Sequence, residues 1–292
     1  MARLHESTRG PTAFVFAGGG SLGAVEVGML RALVEIGQRP DLVLGASVGA
    51  INGFYFAAAP DARGVERLAQ VWLGIRRADV FPVGPARGLL ALLGGGRSLV
   101  SPHGLRRLLI ENLPGSTLES TATPMYVVAT DLRSGSEVIL SRGSAVEALL
   151  ASAAIPAVFP SVSIDGRPLV DGGIAANTPV AAAVALGARR VIVLPTGFSC
   201  AAGPRSNRAL AVALHALNLL IARQLVTDLT RAPADVEIRV VPPLCPMPCS
   251  AYDFTHTAEL IERAESSTRS WLAAGGLEVP GIPVELEPHV HE

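Results

Sequence analysis

The chain has 292 residues, and 49% of them are hydrophobic, so it can bury a large core in one domain. Its 24 basic and 25 acidic residues leave a formal net charge of -1 with no local basic run, which argues against a nucleic-acid partner. Every basic residue is an arginine, and this excludes a Walker lysine, a Schiff-base lysine and a Ser-Lys nucleophile pair.

The compartment is predicted from the cysteines and the apolar segments. The three cysteines are an odd number late in the chain, which indicates reduced thiols, and "CPMPC" has no second ligand pair, so no metal or other cofactor is expected. The first residues do not read as a signal peptide. The most apolar stretch, Ala209 to Val226, is interrupted by polar residues and is expected to be a buried helix. We therefore expect a cytoplasmic protein.

Apolar runs rich in valine and isoleucine alternate with helical patterns, which is typical of a parallel sheet covered on both faces. Strands are predicted at Thr12–Ala17, Asp41–Ala46, Pro124–Thr130, Glu137–Ser141, Pro168–Asp171, Arg190–Pro195 and Glu237–Val241. Helices are predicted at Ser21–Ile36, Val48–Ala59, Ala62–Leu73, Pro102–Asn112, Ser144–Ala153, Pro179–Leu186, Asn207–Arg231 and Thr257–Ala274. The sequence predicts an α/β fold, a three-layer α/β/α sandwich with a mainly parallel central sheet.

No internal repeat or linker divides the chain, so a single domain over residues 1–292 is expected. Its motif-bearing core covers residues 12–196, a C-terminal strand and helices cover 206–275, and a proline-containing tail over 276–292 is expected to be loosely held. Phe81–Ser101 is rich in glycine, proline and leucine. It is interpreted as a lid or lipid-contact loop, or as a short helix over Arg87–Leu93 packed on the core.

The first predicted strand leads into a glycine loop, "FVFAGGGSLG", followed by a helical pattern. Read from Gly18, the loop satisfies the G-x-G-x-x-G fingerprint of a dinucleotide site. It can also present its amides to the oxyanion of an ester under attack. A dinucleotide site needs an acidic residue at the end of the second strand, where this chain has Gly45, Ala46 and Ser47, so the ribose ligand is missing.

The second strand ends in "GASVG", Gly45 to Gly49, a G-x-S-x-G between a predicted strand and a predicted helix. The two glycines let the chain turn sharply enough to expose the hydroxyl of Ser47 above the N-terminus of the helix. A serine hydroxyl needs a base to become a nucleophile. None of the six histidines closes a predicted strand, where an α/β-hydrolase presents its base.

Two aspartates end predicted strands and are candidates for the base. Asp171 is followed by Gly172 and Gly173, which permit the close approach of another backbone or of a substrate. Asp131 is the competitor, although its position ahead of a turn favours an aspartate that binds its own backbone. Asp171 is therefore the preferred base.

The glycine loop, the G-x-S-x-G and the D-G-G, in this order, resemble the patatin-like phospholipases, a family of lipid acyl hydrolases with a Ser-Asp dyad and no histidine. The resemblance runs from about Phe14 to about Thr196 and includes "ASAAIPAVFPSVSIDGRPLVDGGIAANTPV". It implies Ser47 as the nucleophile and Asp171 as its base. It also implies an oxyanion hole in the loop from Gly18 to Gly23, with the following residues as its candidates: Gly18, Gly19, Gly20 and Ser21. Many family members carry arginine or lysine where this chain has Leu22, so a fixed positive charge beside the loop is missing.

The resemblance implies a serine hydrolase that cleaves carboxylic esters of lipids, namely phospholipids, lysophospholipids or acylglycerols, through an acyl-enzyme and without a cofactor. Only 17% of the residues are charged and no polybasic patch is visible, so peripheral contact with the inner membrane surface through leucines is expected. The alternatives are an acyltransferase with the same dyad, a non-catalytic lipid-binding protein and a dinucleotide-binding oxidoreductase.

Overall fold

The computed structural model describes residues 10–82, 98–197, 209–247, 249–279, 281 and 283–286. The strands are β1 (Thr12–Phe16), β2 (Leu42–Ala46), β3 (Met125–Asp131), β4 (Glu137–Leu140), β5 (Val162–Ile164), β6 (Arg167–Asp171), β7 (Arg190–Leu194) and β8 (Glu237–Val240). They form one eight-stranded sheet in the order β5-β6-β3-β2-β1-β7-β8, and β4 also pairs with β3. The strands from β3 to β8 in this order are parallel, whereas β4, β5 and β6 pair antiparallel.

Helices flank the sheet. They are α1 (Ala24–Glu35), α2 (Val48–Ala58), α3 (Ala62–Gly74), α4 (Arg77–Val80), α5 (His103–Asn112), α6 (Ala145–Ser152), α7 (Gly173–Ala176), α8 (Val180–Ala185), α9 (Ala209–Arg231) and α10 (Thr257–Ala273). Short 3-10 turns occur at Gly20–Gly23, Leu118–Ser120 and Val284–Leu286.

The side chains of β1 show how the layers form, because successive residues of a strand point to opposite faces of the sheet. Phe14 and Phe16 enter a core cluster with α1, α2, α3 and α10. Ala13 and Val15 enter a second cluster with α8 and α9 on the other face. The sheet is thus covered on both faces, and the predicted α/β sandwich with a mainly parallel sheet is confirmed.

Three elements were not predicted from the sequence, namely β5, α4 and α7. Each has only three or four residues, too few for an apolar periodicity to be read. The predicted first helix also differs, since Gly20–Gly23 forms a 3-10 turn before α1 begins. Residues 83–97 lie outside the described part of the chain, so both interpretations of Phe81–Ser101 stay predictions.

The C-terminal part packs on the same core. α10 lies against α1, where Gly28 leaves room for the backbone of Ile261. Among the described residues after Gly275, Leu277 and Leu286 are buried and Arg239 donates from Nε to the carbonyl of Leu277 over 2.8 Å, while the loosely held tail stays a prediction. The hydrogen bond from Arg239 ties this segment to β8.

Strand β3 fixes where β2 and β6 end. Val128 pairs with Ala46, the last residue of β2, and the next residue, Ala129, pairs with Asp171, the last residue of β6. Both β3 residues also pair with β4, which therefore occupies the opposite side of β3. Strands β2 and β6 consequently meet end to end, and this brings Ser47, which follows Ala46, next to Asp171.

Candidate active site

Ser47 occupies a sharp turn between β2 and α2, with φ 55° and ψ -126°. Positive φ is uncommon for a residue with a side chain, and backbone strain of this kind concentrates at functional sites. Gly45 and Gly49 make the turn possible. A Cβ on Gly45 would collide with the backbone of Gly49, and a Cβ on Gly49 would collide with the backbone of Phe16.

Ser47 and Asp171 are joined by a hydrogen bond. The hydroxyl of Ser47 donates to Oδ2 of Asp171 over 2.7 Å, and the two residues are 8% and 7% exposed. The other carboxylate oxygen, Oδ1, accepts the N–H of Gly173 over 2.8 Å. The main-chain carbonyl of Asp171 accepts the hydroxyl of Thr130 over 2.8 Å. The carboxylate is therefore held in one orientation against the serine.

Burial raises the pKa of Asp171 to about 6, because it disfavours the charged form, and the hydrogen bonds from Ser47 and Gly173 offset part of this effect. A carboxylate with the ordinary aspartate pKa of about 3.9 is a weak base for a hydroxyl. The raised pKa makes Asp171 a stronger base while still leaving it deprotonated at neutral pH.

Ser152 connects the turn that carries Ser47 to the segment that follows Asp171. Its hydroxyl accepts the N–H of Ser47 over 2.8 Å and donates to the carbonyl of Val128 over 2.6 Å. Its main-chain carbonyl accepts the N–H of Gly172 over 3.1 Å. The side chain thus fixes the strained turn, and the backbone of the same residue fixes the segment that follows Asp171.

The glycine loop between β1 and α1 lies against the same site, since a Cβ on Gly18 would be 3.1 Å from that of Ser47. The N–H of Gly18 donates to the carbonyl of Asn177 over 3.0 Å, and the N–H of Ser21 donates to the carbonyl of Ala251 over 2.8 Å. Within the described part of the chain, the N–H groups of Gly19 and Gly20 make no hydrogen bond. Of the four oxyanion-hole candidates, two therefore have free amides.

The competitor Asp131 does not face Ser47. Its Oδ1 accepts the N–H groups of Arg133 and Ser134 over 2.8 and 3.3 Å, in the turn that follows β3. No histidine among the described residues hydrogen-bonds to Ser47 or Asp171. Leu22 packs against the core cluster, and the position beside the loop carries no charge.

The sequence interpretation missed several residues that hold the site. Ser152 lies inside the quoted stretch "ASAAIPAVFP", so the motif itself pointed to it, but nothing marked the serine. Ala251 and Tyr252 had no local signal. Tyr252 packs edge-on to Phe81 with ring centroids 5.5 Å apart, and its pKa is raised by burial and by the charge of Asp171. Phe81 also packs against Phe159 and Phe254, so Tyr252 connects this aromatic cluster to the neighbourhood of Asp171.

A buried polar network connects the glycine loop, α1, α2 and α3. Asn52 of α2 donates to the carbonyl of Gly23 over 2.9 Å and to Glu26 over 2.7 Å, and it accepts the indole N–H of Trp72 over 2.8 Å. Burial raises the pKa of Glu26 well above its usual range, and the hydrogen bond from Asn52 offsets part of this effect. The network links α1, α2 and α3 behind the site.

Groups of His, Cys, Asp and Glu that could hold a metal ion were not found among the residues that the structure describes. In the same residues, every helix is too short or too polar to span a bilayer.

The fold and the site together define an α/β protein with a buried serine–carboxylate pair at the end of a central sheet. The chain belongs to the patatin-like phospholipase family, whose model matches residues 14–184. This confirms the resemblance drawn from the three motifs.

Relatives support the membership. The chain is 32% identical over 225 residues to an uncharacterized NTE family protein of Mycobacterium tuberculosis, covering 75% of this chain and 58% of that protein. It is 29% identical over 200 residues to the human patatin-like phospholipase domain-containing protein 6, covering 68% of this chain and 14% of that protein. The chain thus spans only part of each relative.

The structure is similar to the human GIVD cytosolic phospholipase A2, solved in complex with methyl gamma-linolenyl fluorophosphonate. The TM-score is 0.51 at 12% identity, over 97% of this chain and 60% of that chain. At this identity the likeness concerns the fold.

Proposed function

We propose that this chain is a serine hydrolase that cleaves carboxylic esters of lipids through an acyl-enzyme on Ser47, with Asp171 as the base. The observation that carries the proposal is the 2.7 Å hydrogen bond from the Ser47 hydroxyl to a buried carboxylate whose pKa is about 6. Family membership supports a lipid substrate.

In the first half-reaction, Oγ of Ser47 attacks the ester carbonyl carbon while its proton passes to Oδ2 of Asp171. The carbonyl electrons move to oxygen, and the free N–H groups of Gly19 and Gly20 stabilise the resulting charge. The intermediate then breaks its bond to the alcohol oxygen, which takes the proton from Asp171 and leaves.

In the second half-reaction, a water molecule attacks the acyl carbon and gives its proton to Asp171. The bond to Ser47 breaks, Oγ recovers the proton, and a carboxylic acid is released. Because the same base acts twice, each half-reaction needs Asp171 deprotonated at its start, and the rate rises as pH passes through about 6.

The substrate class follows from the border of the site. The partly buried ring of Tyr252, which lies near enough to Asp171 for that charge to raise the tyrosine pKa, offers apolar surface for an acyl chain, and no fixed charge stands at Leu22 for an anionic headgroup. The peripheral membrane contact and the cytoplasmic location stay predictions.

A panel of p-nitrophenyl esters of increasing acyl length, run beside fluorescent phospholipids, tests the proposal on wild type, Asp171→Asn and Asp131→Asn. Asp171→Asn should lower kcat by at least about 100-fold, because the general base is removed. Asp131→Asn is the matched control and should retain wild-type turnover, since Asp131 holds only its own turn.

The opposite ranking of the two variants would refute the choice of base. Acyl transfer appears in the same assay as a new ester when an alcohol acceptor is added. A wild-type protein that hydrolyses none of the esters but binds phospholipid would instead be a non-catalytic lipid-binding protein. A wild-type protein that hydrolyses none of the esters but quenches NADH fluorescence would be a dinucleotide-binding protein.

A further inference from the structure

The orientation of the Gly18–Gly19 peptide unit decides whether Gly19 can serve the site. In a trans peptide the C=O of one residue and the N–H of the next point in opposite directions. Whatever holds the carbonyl of Gly18 therefore also sets the direction of the N–H of Gly19. A rotation of this unit by half a turn would present a carbonyl oxygen to the developing negative charge.

Two side chains hold the Gly18 carbonyl. The hydroxyl of Thr196, just beyond β7, donates to it over 2.8 Å, and Nδ2 of Asn177, just beyond α7, donates to it over 3.2 Å. Both residues are buried, at 3% and 7% exposure. The main-chain carbonyl of Asn177 also accepts the N–H of Gly18. Asn177 thus hydrogen-bonds to both the backbone carbonyl and the backbone N–H of Gly18.

The neighbouring peptide unit is held differently. The carbonyl of Gly19 accepts the N–H of Leu22 over 3.2 Å inside the 3-10 turn, so the N–H of Gly20 is oriented by local backbone alone. The N–H of Gly19, in contrast, depends on side chains that lie 178 and 159 positions away along the chain. Those side chains can be changed one at a time.

We infer that Thr196 and Asn177 are positioning residues that keep the N–H of Gly19 directed at the oxyanion. Neither side chain reaches the reacting atoms in this scheme, and both act through the Gly18 carbonyl. The inference rests on the proposed ester hydrolysis.

The test compares wild type, Thr196→Val, Thr196→Ser and Asn177→Asp, with Thr121→Val as the control. Valine keeps the shape of threonine and removes the hydroxyl. Serine restores the hydroxyl, and aspartate replaces the donor Nδ2 with an acceptor. Thr121 donates to the carbonyl of Leu118 over 3.0 Å, outside the site, and its loss should leave turnover unchanged.

Thr196→Val is expected to lower kcat by about 10-fold or more, with KM within about threefold, because the loss of a full oxyanion donor costs about 100- to 1,000-fold. The Ki of a trifluoromethyl ketone, whose serine adduct carries the same oxyanion, should rise by the factor that kcat/KM loses. Thr196→Ser should restore both values, and Asn177→Asp should reproduce the loss.

The inference is overturned if Thr196→Val keeps wild-type kcat and Ki, or if kcat falls without a rise in Ki. Should Thr196→Val fail to fold, Asn177→Asp carries the same two expectations. A wild-type protein that neither hydrolyses an ester nor reacts with a fluorophosphonate at Ser47 overturns the proposed function, and the inference falls with it.

Discussion

The two halves of the site are held in different ways. Ser47 and Asp171 are positioned by backbone pairing, because the strands that carry them end at consecutive residues of β3. The glycine loop is held by single contacts from distant parts of the chain, including the carbonyl of Ala251 and the hydroxyl of Thr196. The position of the dyad is therefore a property of the sheet, whereas the shape of the loop depends on a few groups that can be removed without disturbing the sheet.

The largest effect is expected from Ser47→Ala on the dyad side. Because the proposed acyl-enzyme has no other oxygen to form on, kcat should fall by about 10,000-fold or more. Ester turnover and intact-protein mass spectrometry after fluorophosphonate treatment measure the loss. Residual turnover within about 10-fold of wild type would place the nucleophile elsewhere.

On the loop side, Gly20→Ala should lower kcat by about 100- to 1,000-fold, the usual cost of a lost oxyanion donor. Gly20 has φ 60°, and a Cβ there would collide with the carbonyl of Ala251, so the loop must shift. Gly37→Ala is the matched control, since Gly37 has φ 78° and open space around it. If Gly20→Ala and Gly37→Ala lose activity to the same extent, the cause is backbone strain and not the loss of an oxyanion-hole donor.

Asp171→Asn is expected to change the free energy of unfolding in a way that depends on pH. The folded pKa of about 6 lies above the ordinary value of 3.8, so the folded state binds more protons and the contribution of Asp171 to stability falls as pH rises through about 6. The shift corresponds to about 3 kcal/mol. The variant should therefore exceed wild type in free energy of unfolding by up to this amount near about pH 8, and the gain should vanish below about pH 3. Urea denaturation at both pH values measures this gain in free energy of unfolding. A gain that is the same at both pH values would show that the raised pKa of Asp171 is not its cause.

The smallest effect is expected from Ser152→Ala, which leaves the N–H of Ser47 without its partner while the sheet still holds the turn. The loss of one buried hydrogen bond, about 1 to 3 kcal/mol, should lower kcat by about 10- to 100-fold. Ser270→Ala, which removes a hydroxyl bonded within its own helix, serves as the control. Equal turnover of Ser152→Ala and Ser270→Ala would show that the hydrogen bond from Ser47 to Ser152 does not affect the rate.

The same difference explains what could be predicted from the sequence. Ser47 and Asp171 stand in short motifs at the ends of apolar strands, so local pattern and the family resemblance together were enough to propose them as a pair. Ser152, Thr196 and Asn177 act across separations of 105, 178 and 159 residues, and no local pattern marks such contacts. Which amides from Gly18 to Ser21 are already hydrogen-bonded depends on the carbonyls of Asn177 and Ala251, which lie far away along the chain.

The rate of fluorophosphonate labelling at Ser47, followed against pH in wild type and Asp171→Asn, tests the dyad most directly. In wild type the rate should rise through about pH 6 and then level off, since the base must lose its proton to activate the serine. In Asp171→Asn labelling should be slow at every pH. Labelling of Asp171→Asn at the wild-type rate would contradict the account.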